Sequence, residues 1–432
     1  MSKSVGKYLQ NYLRNTRSIP EPELSPTISN HLFLKRIQEK IASPASRITV
    51  HTPEPIPQDY YKMITAEVRN VIEASPGYYS RQYQFELPKR QRIKIDCIYP
   101  YFEEAGEVDP NSAKMDEMFM ECVHQIYKWL FVANEYRKQG CSETLHIWLY
   151  MTHAPKLIDV PIGGGQKRSL VTSNRKPLDQ AVAKLNQAVA NRMPLDQAVA
   201  NRKPLDQAVA NRKPLGETNA NTAFTYPCRQ EGNIFIYREE EWFKVLIHET
   251  FHSYSLDFCS NDALAILAQN NIQNKFLRVK NKELRIFETY CETMAEMLNL
   301  IFSYKNINAN LHVERQFSIF QMVKVLRYMG LSYKDLFQLG EYKEDTYIFS
   351  YYVLKCICLY YINEFLDWRM GEPSLLAIEH TDESIIKFTQ FIIERASRPE
   401  FVADVERMEN WWERHPPGEK IEDLTMRMTV FG

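Results

Sequence analysis

The chain has 432 residues, of which 44% are hydrophobic and 25% charged, so it can bury a substantial core and is not disordered throughout. Its 53 basic and 54 acidic residues give a net charge of −1 without a long block of either sign, which excludes an electrostatic footprint for nucleic acid or an anionic membrane. The N-terminus has no apolar run of signal-peptide length, and no twenty-residue apolar stretch appears anywhere in the chain. We therefore expect a cytoplasmic protein that is not secreted.

The N-terminal part of the chain is punctuated by proline. Residues 1–75 predict short helices that are joined by proline-rich links at 19–26 and 52–57. We interpret this part as a helical N-terminal extension.

Alternating apolar and polar residues from about residue 80 onward predict a sheet. The predicted elements are a strand at 91–99, a helix at 112–138, and strands at 144–151 and 232–238. This order places a helix between the first two strands and a further helix directly after the last one.

A tandem repeat lies between the second and third predicted strands. The decapeptide at 174–183 recurs at 191–200 and 201–210 and decays over 211–220. Near-identical copies indicate duplication of one unit, and ten residues are too few for the common solenoid repeats. We expect 174–220 to be a surface insertion that the domain tolerates, with a partner-binding arm as the alternative.

The segment 240–257 contains no Gly or Pro and predicts one continuous amphipathic helix with the motif His-Glu-x-x-His at 248–252. Positions i and i+4 share a helix face, so His248 and His252 can present two imidazole nitrogens to one metal ion. The pattern favours a single Zn²⁺ site with Glu249 as general base of a metal-assisted hydrolysis. The alternative is a helix that carries two histidines by chance.

A catalytic zinc ion takes three protein ligands, so a third is expected. The metzincin extension is excluded because Ser255 and Phe258 stand where that pattern requires Gly and His. Asp257 is expected to face away from the metal side of the same helix. A second predicted helix, at 283–302, carries a glutamate at every fourth residue: Glu288, Glu292 and Glu296. Such a stripe needs water or a cation to oppose it, and zinc would be one such cation.

The sequence Glu-Thr-Met-Ala-Glu that begins at Glu292 resembles the E-x-x-A-D/E signature of gluzincin metallopeptidases. The resemblance implies that Glu292 is the third zinc ligand and that Glu296 orients a zinc-bound histidine, with Glu288 as the reserve ligand. It also implies an α+β fold, with a small mixed sheet and the active-site helix in a zincin-like catalytic domain at 76–260. A mainly helical C-terminal subdomain at 261–432 would carry the third ligand.

Most of the chain beyond residue 303 predicts helices, which lie at 310–329, 344–367, 382–396 and 399–413. Zincins commonly use a tyrosine or histidine donor to stabilise the oxyanion that forms on the substrate. Tyr351 and Tyr352 are the candidates for this role, with Tyr254 and Tyr290 as alternatives.

Cysteine spacing bears on the redox compartment. Eight cysteines are scattered through the chain without a C-x-x-C pair, so we expect unpaired thiols in a reducing environment. Cys291 adjoins Glu292 but points about 100° away from it on a helix, which favours a packing role over metal binding.

These features predict a zinc metallopeptidase that acts on a peptide or protein substrate, without nucleic-acid or membrane partners. The edge strand of a zincin sheet usually pairs with extended substrate, and residues 221–226 are the candidate edge. The alternative is an inactive zincin scaffold that acts by binding a partner. The tandem decapeptides, the many Tyr and Asn residues and the sequence at 243–249 also resemble zincin-like proteins encoded by large DNA viruses of amoebae, which implies action in a host cytoplasm or a virion.

Overall fold

The computed structural model describes residues 19–22, 31–41, 48–52, 55–101, 113–158, 214–279, 283–338, 342–415 and 424–432. These residues form a mixed α+β structure, which confirms the predicted fold class at that level. Most of the predicted insertion, from 174 to 213, lies outside the described residues.

Six strands form one open, mixed sheet. They are β1 (Thr49–His51), β2 (Gly77–Leu87), β3 (Gln91–Tyr101), β4 (Thr144–Tyr150), β5 (Ala223–Thr225) and β6 (Glu231–Ile236). Their order is β1-β2-β3-β4-β6-β5; β3, β4 and β6 are parallel, and the other neighbours pair antiparallel. The three predicted strands are confirmed with slightly different ends. The candidate edge at 221–226 contains β5, which is the last strand of the sheet.

Helices make up most of the remaining described chain. They are α1 (His31–Lys40), α2 (Gln58–Tyr61), α3 (Ala66–Ala74), α4 (Ala113–Ala133), α5 (Glu217–Ala220), α6 (Trp242–Tyr254), α7 (Asp262–Lys275), α8 (Ile286–Ser303), α9 (Ile307–Tyr328), α10 (Lys355–Tyr360), α11 (Ile362–Gly371), α12 (Asp382–Arg395) and α13 (Pro399–Arg414). The prediction of one continuous helix at 344–367 is wrong. A π-helix at Phe349–Leu354 precedes α10, and a turn at Tyr361 separates α10 from α11. Within the described ranges, no helix is both long and apolar enough to cross a membrane.

The sheet alternates apolar and polar side chains, and its apolar face is covered by α4 and α6. Ile93, Ile95 and Cys97 point into this core and are almost fully buried. Trp129 of α4 donates its indole N–H to Thr250 Oγ1 of α6 at 3.0 Å, which ties the two helices together. The same core continues through α8 into the C-terminal helices, so the predicted boundary near residue 260 is not a break in packing.

The segment predicted as a helical extension also contributes to the sheet. Its strand β1 pairs with β2, while α2 and α3 lie on the outer sheet face. There Tyr60 stacks on Phe235 of β6, with ring centroids 4.3 Å apart. Val68 and Ile72 pack with Tyr237. Helices α2 and α3 therefore cover the face of the sheet opposite α6, whereas α1 packs against α4 in the main core.

A disulfide joins Cys141 to Cys228, so the expectation of eight unpaired thiols is wrong for this pair. The two residues lie just before β4 and β6, which are neighbours in the sheet although 87 residues separate the cysteines. The remaining six cysteines form no disulfide. Residues beside the disulfide hydrogen-bond the last carbonyls of α6: Cys228 N–H to His252 O (3.2 Å), Ser142 Oγ to Ser253 O (3.0 Å) and Lys138 N–H to Tyr254 O (3.1 Å). The disulfide region thus caps the C-terminal end of α6.

The other end of α6 is held by a C-terminal strap, residues 424–432. Glu241 precedes α6 in the left-handed conformation (φ 62°) and accepts the backbone N–H groups of Met428 and Thr429 at 2.7 and 2.6 Å. Its second carboxylate oxygen accepts a hydrogen bond from Lys156, which is fully buried. Both ends of α6 are therefore fixed by parts of the chain that are distant in sequence.

Candidate metal centre

The candidate site lies between α6 and α8, which pack side by side. Each helix carries three polar side chains at four-residue spacing, and that spacing places each set on one face. On α6 these residues are Lys244, His248 and His252; on α8 they are Glu288, Glu292 and Glu296. All six are buried. The acidic stripe is therefore opposed by basic side chains and is not a solvated surface.

Three donor atoms converge where these stripes meet. His248 Nε2 lies 3.1 Å from His252 Nε2 and 2.9 Å from Glu288 Oε2, and His252 Nε2 lies 3.3 Å from the same carboxylate oxygen. Ligand atoms about 2.0–2.1 Å from a tetrahedral zinc ion lie roughly 3.3 Å from one another. The three atoms are thus close to the spacing that one small divalent cation requires, and these residues could hold a metal ion.

Glu292, the residue predicted as third ligand, occupies a different position. Its Oε2 accepts a hydrogen bond from Nδ1 of His248 at 2.8 Å, on the side of the imidazole away from the three donor atoms. Its Oε1 accepts a hydrogen bond from Lys244. The structure therefore places the reserve residue Glu288 among the donors and gives Glu292 the orienting position. The predicted ligand and orienting residue are each displaced by one helical turn, because the α8 stripe meets the histidines one turn earlier.

Glu296 was predicted to orient a histidine and instead pairs with a lysine. Its Oε1 accepts a hydrogen bond from Lys355 Nζ at 2.5 Å, and its Oε2 has no partner among the described residues. Burial raises the pKa of Glu296 well above its usual value, although the charge of Lys355 opposes that shift. This carboxyl group belongs to the interior behind the candidate site.

Asp257 orients the second histidine, which the sequence did not predict. The helix ends at Tyr254 because Ser255 adopts the left-handed conformation (φ 56°), so the predicted continuation to residue 257 is wrong. The chain turns back, and Asp257 Oδ2 accepts a hydrogen bond from His252 Nδ1 at 2.5 Å. Cys291 Sγ lies 3.3 Å from the same oxygen and supports it. Each histidine thus has a carboxylate on Nδ1, which leaves Nε2 for a metal.

Glu249 lies beside the two histidines and keeps its carboxylate uncommitted. It makes no hydrogen bond with any residue that the structure describes, and it is 8% exposed. Burial raises the pKa of Glu249, while the nearby charges of His248 and His252 lower it. A buried, unpaired carboxylate at this place suits a group that accepts and releases a proton.

The two neighbouring candidate tyrosines face different surroundings. The ring centroid of Tyr351 lies 6.1 Å from that of His248, and its hydroxyl has no partner in the described part of the chain. Tyr352 points away and donates to the carbonyl of Met426 in the strap at 2.5 Å. The alternatives are also engaged elsewhere: Tyr254 bonds to Gln91, and Tyr290 donates to Leu376 O. Tyr351 is therefore the candidate that remains beside the histidines.

The carboxylates and imidazoles of the site stabilise each other's charged forms. Burial opposes ionisation of Glu288, yet His252 and the hydrogen bonds of both histidines hold its pKa well below the usual range. Burial also opposes protonation of His248, but hydrogen bonds to Glu288 and Glu292 raise its pKa to about 9. A proton thus competes with a metal ion for the imidazole of His248, so metal binding at this site releases protons.

Sequence reasoning identified the motif helix, Glu249 and the glutamate stripe, but it missed Lys244 and Asp257. Lys244 had a usable signal, because it lies four residues before His248 and so shares its helix face. Asp257 had none, since a serine at the end of a helix seldom adopts positive φ.

Comparisons with protein-family models, curated proteins and solved structures find no match to this chain.

Proposed function

We propose that the protein is a zinc-dependent hydrolase and that its substrate is a peptide. The observation that carries the proposal is the convergence of His248 Nε2, His252 Nε2 and Glu288 Oε2 within 3.3 Å of one another. Two imidazoles and one carboxylate form a donor set typical of catalytic zinc, with a fourth position left for water. A gluzincin donor set likewise consists of two histidines and one glutamate, although the segment that begins at Glu288 reads Glu-Thr-Tyr-Cys-Glu and departs from the E-x-x-A-D/E signature at Cys291.

The protein side chains divide the remaining work. Bound Zn²⁺ supplies a Lewis acid that acidifies water and polarises a carbonyl. The carboxylate of Glu249 accepts a proton from the attacking water and delivers it to the leaving amine. The hydroxyl of Tyr351 donates a hydrogen bond to the oxygen that gains negative charge. Glu292 and Asp257 keep the Nδ1 protons of the histidines in place.

The sheet supports a peptide as the substrate class. β5 is the terminal strand of the sheet, antiparallel to β6, and it packs against α6. Its outer edge pairs with no strand in the described ranges, so its backbone can add an extended chain. A peptide bound along β5 would run beside the helix that carries Glu249. This arrangement favours an extended peptide over a small, compact molecule as the substrate.

Metal content and peptide hydrolysis, measured on the same purified proteins, test the proposal. Wild type should hold one zinc ion per chain and cleave members of a mixed peptide library. Glu249→Gln should keep zinc and lose cleavage, whereas His252→Ala should lose zinc. Glu283→Gln, in an exposed residue just before α8, is the matched control and should behave like wild type. Cleavage retained by Glu249→Gln would contradict the assigned chemistry.

A metal-binding protein without turnover is the second candidate. It is favoured by the low exposure of the donor residues, which is 6% for His248 and 5% for Glu288. Such a scaffold would hold zinc in wild type and in Glu249→Gln alike and would cleave no peptide in either. The same experiment therefore separates the two functions.

A further inference from the structure

Lys244 is a buried lysine in the helix that carries the candidate metal ligands. It lies one helical turn before His248 on the same face of α6 and is 1% exposed. An ammonium group at such a place is costly unless a partner neutralises it. The groups that contact the ammonium of Lys244 therefore indicate its role.

The partner of Lys244 is the carboxylate that also holds His248. Lys244 Nζ donates to Glu292 Oε1, and Glu292 Oε2 accepts the Nδ1 proton of His248 at 2.8 Å. Met428 Sδ of the strap lies 3.8 Å from the same ammonium and closes the site from the other side. One carboxylate is thus shared between an ammonium group and an imidazole, with a separate oxygen for each.

We infer that Lys244 is a positioning residue for His248: it anchors the carboxylate of Glu292, which bonds to Nδ1 of His248, so that Nε2 of the imidazole is directed to the metal. The inference rests on the proposed zinc site. Two contacts orient the carboxylate plane where one contact would leave it free to rotate. The ammonium also bonds to the carboxylate oxygen that the imidazole does not use, so each oxygen of the buried carboxylate has a hydrogen-bond donor.

The alternative is that Lys244 only fills the interior and balances a charge. A matched pair in the same region tests that alternative. Lys156 is as deeply buried, and its Nζ donates to Glu241, which precedes α6 and does not contact an imidazole. Lys156→Met therefore removes a comparable buried ion pair without touching the partner of His248.

The test is zinc affinity of the full chain, measured by competition with a chromophoric chelator. Lys244→Met should weaken zinc binding about 10- to 100-fold, as loss of an outer-shell partner does. Lys244→Arg should recover most of the affinity, because it restores the charge. The folded fraction of Lys156→Met should bind zinc with an affinity within about threefold of wild type. Equal losses for Lys244→Met and Lys156→Met would overturn the inference.

A double-mutant cycle with Glu292→Gln covers the case in which Lys244→Met alone does not fold. The glutamine oxygen still accepts the Nδ1 proton and needs no cation, so the neutral Met-Gln pair should be tolerated. In the Glu292→Gln background the Lys244→Met change should alter zinc affinity by less than about threefold. A full 10- to 100-fold loss in that background would show that Lys244 acts independently of Glu292 and would overturn the inference.

Nitrogen NMR of the histidine side chains gives a readout that a packing role would not move. In zinc-loaded wild type, His248 should appear as the single tautomer with its proton on Nδ1. Because zinc on Nε2 fixes this tautomer, the readout is the Nδ1 proton itself: Lys244→Met should shift its resonance and speed its exchange with water and should leave the Nδ1 proton of His252 unchanged. An unchanged Nδ1 proton of His248 would contradict the inference. Failure of wild type to bind zinc would instead overturn the proposed function together with this inference, so the two failures are distinguishable.

Discussion

The roles of Glu288 and Glu292 can be separated by substitution with glutamine, which keeps the shape and removes the charge. Glu288 Oε2 lies within 3.3 Å of both Nε2 atoms, so Glu288→Gln removes a direct ligand. Glu292 contacts His248 at Nδ1 and not at the metal-facing Nε2. A glutamine at position 292 still offers an acceptor oxygen to Nδ1. We expect Glu292→Gln to weaken zinc binding about 10-fold, or about 1.4 kcal/mol, and Glu288→Gln to weaken it by more than about 100-fold.

Zinc affinity measured by chelator competition provides the assay, and thermal unfolding of each variant checks that it is folded. Glu283→Gln is the control, because Glu283 lies in the same segment, is 60% exposed and pairs with Arg285 at the surface. It should bind zinc like wild type. A larger loss of zinc affinity for Glu292→Gln than for Glu288→Gln would refute the assignment of Glu288 as the third ligand. It would favour Glu292, the ligand that the sequence pattern predicted.

Three further predictions concern pH, the disulfide and the tyrosines. Hydrogen bonds to carboxylates raise the folded-state pKa of His248 to about 9, above its unfolded value, so this group stabilises the chelator-treated protein below about pH 6.5 and the contribution, on the order of 3 kcal/mol, is lost as pH rises through 9. Thermal melts between pH 6 and 10 should show this loss, and His248→Gln should reduce it. Burial opposes protonation of His252 too, but Cys291 and Asp257 raise its pKa well above the usual value, so His252 contributes a loss of the same sign; an undiminished loss in His248→Gln would contradict the assignment to His248. Replacing Cys141 and Cys228 together by alanine should lower the free energy of unfolding by on the order of 4 kcal/mol, because the disulfide closes a long loop; peptide mapping without reductant should recover the linked pair, and its absence would contradict the pairing. Tyr351→Phe should reduce kcat about 100-fold with zinc retained. Tyr352→Phe should instead lower stability by about 1 kcal/mol, because it loses the hydrogen bond to the strap, and leave kcat unchanged; equal kcat for the two variants would count against Tyr351 as the donor.

Local pattern was sufficient for the parts of the site that lie on one helix. The His-Glu-x-x-His motif, an apolar face and the absence of Gly or Pro predicted a helix that presents His248 and His252 together, and α6 does so. Alternation likewise predicted three strands, and the position of β5 at the end of the sheet agrees with the candidate edge. These features depend on residues that are close in sequence.

Which glutamate of α8 supplies the third donor atom depends on tertiary structure. Glutamates at every fourth residue of α8 are equivalent on a helix face, and only the axial offset between α6 and α8 decides which of them meets the histidines. That offset is set by core packing around both helices and has no local sequence signal. The structure places Glu288 there, one turn before Glu292, the residue that the gluzincin-like pattern indicated.

Two other features depended on backbone conformation and chain topology. The left-handed Ser255 reverses the chain and brings Asp257 to His252, although no glycine marks that turn. The π-helix that contains Tyr351 and Tyr352 sets which tyrosine faces the histidines. The disulfide joins cysteines that become neighbours only when β4 and β6 pair, and spacing along the sequence does not show that pairing.

The most direct test of the zinc site is a crystal structure of the zinc-loaded protein with anomalous diffraction measured above and below the zinc absorption edge. We expect one anomalous peak bonded to His248 Nε2, His252 Nε2 and Glu288 Oε2, with Glu292 and Asp257 on the two Nδ1 atoms. A peak bonded to Glu292 in place of Glu288, or no peak between α6 and α8, would contradict it.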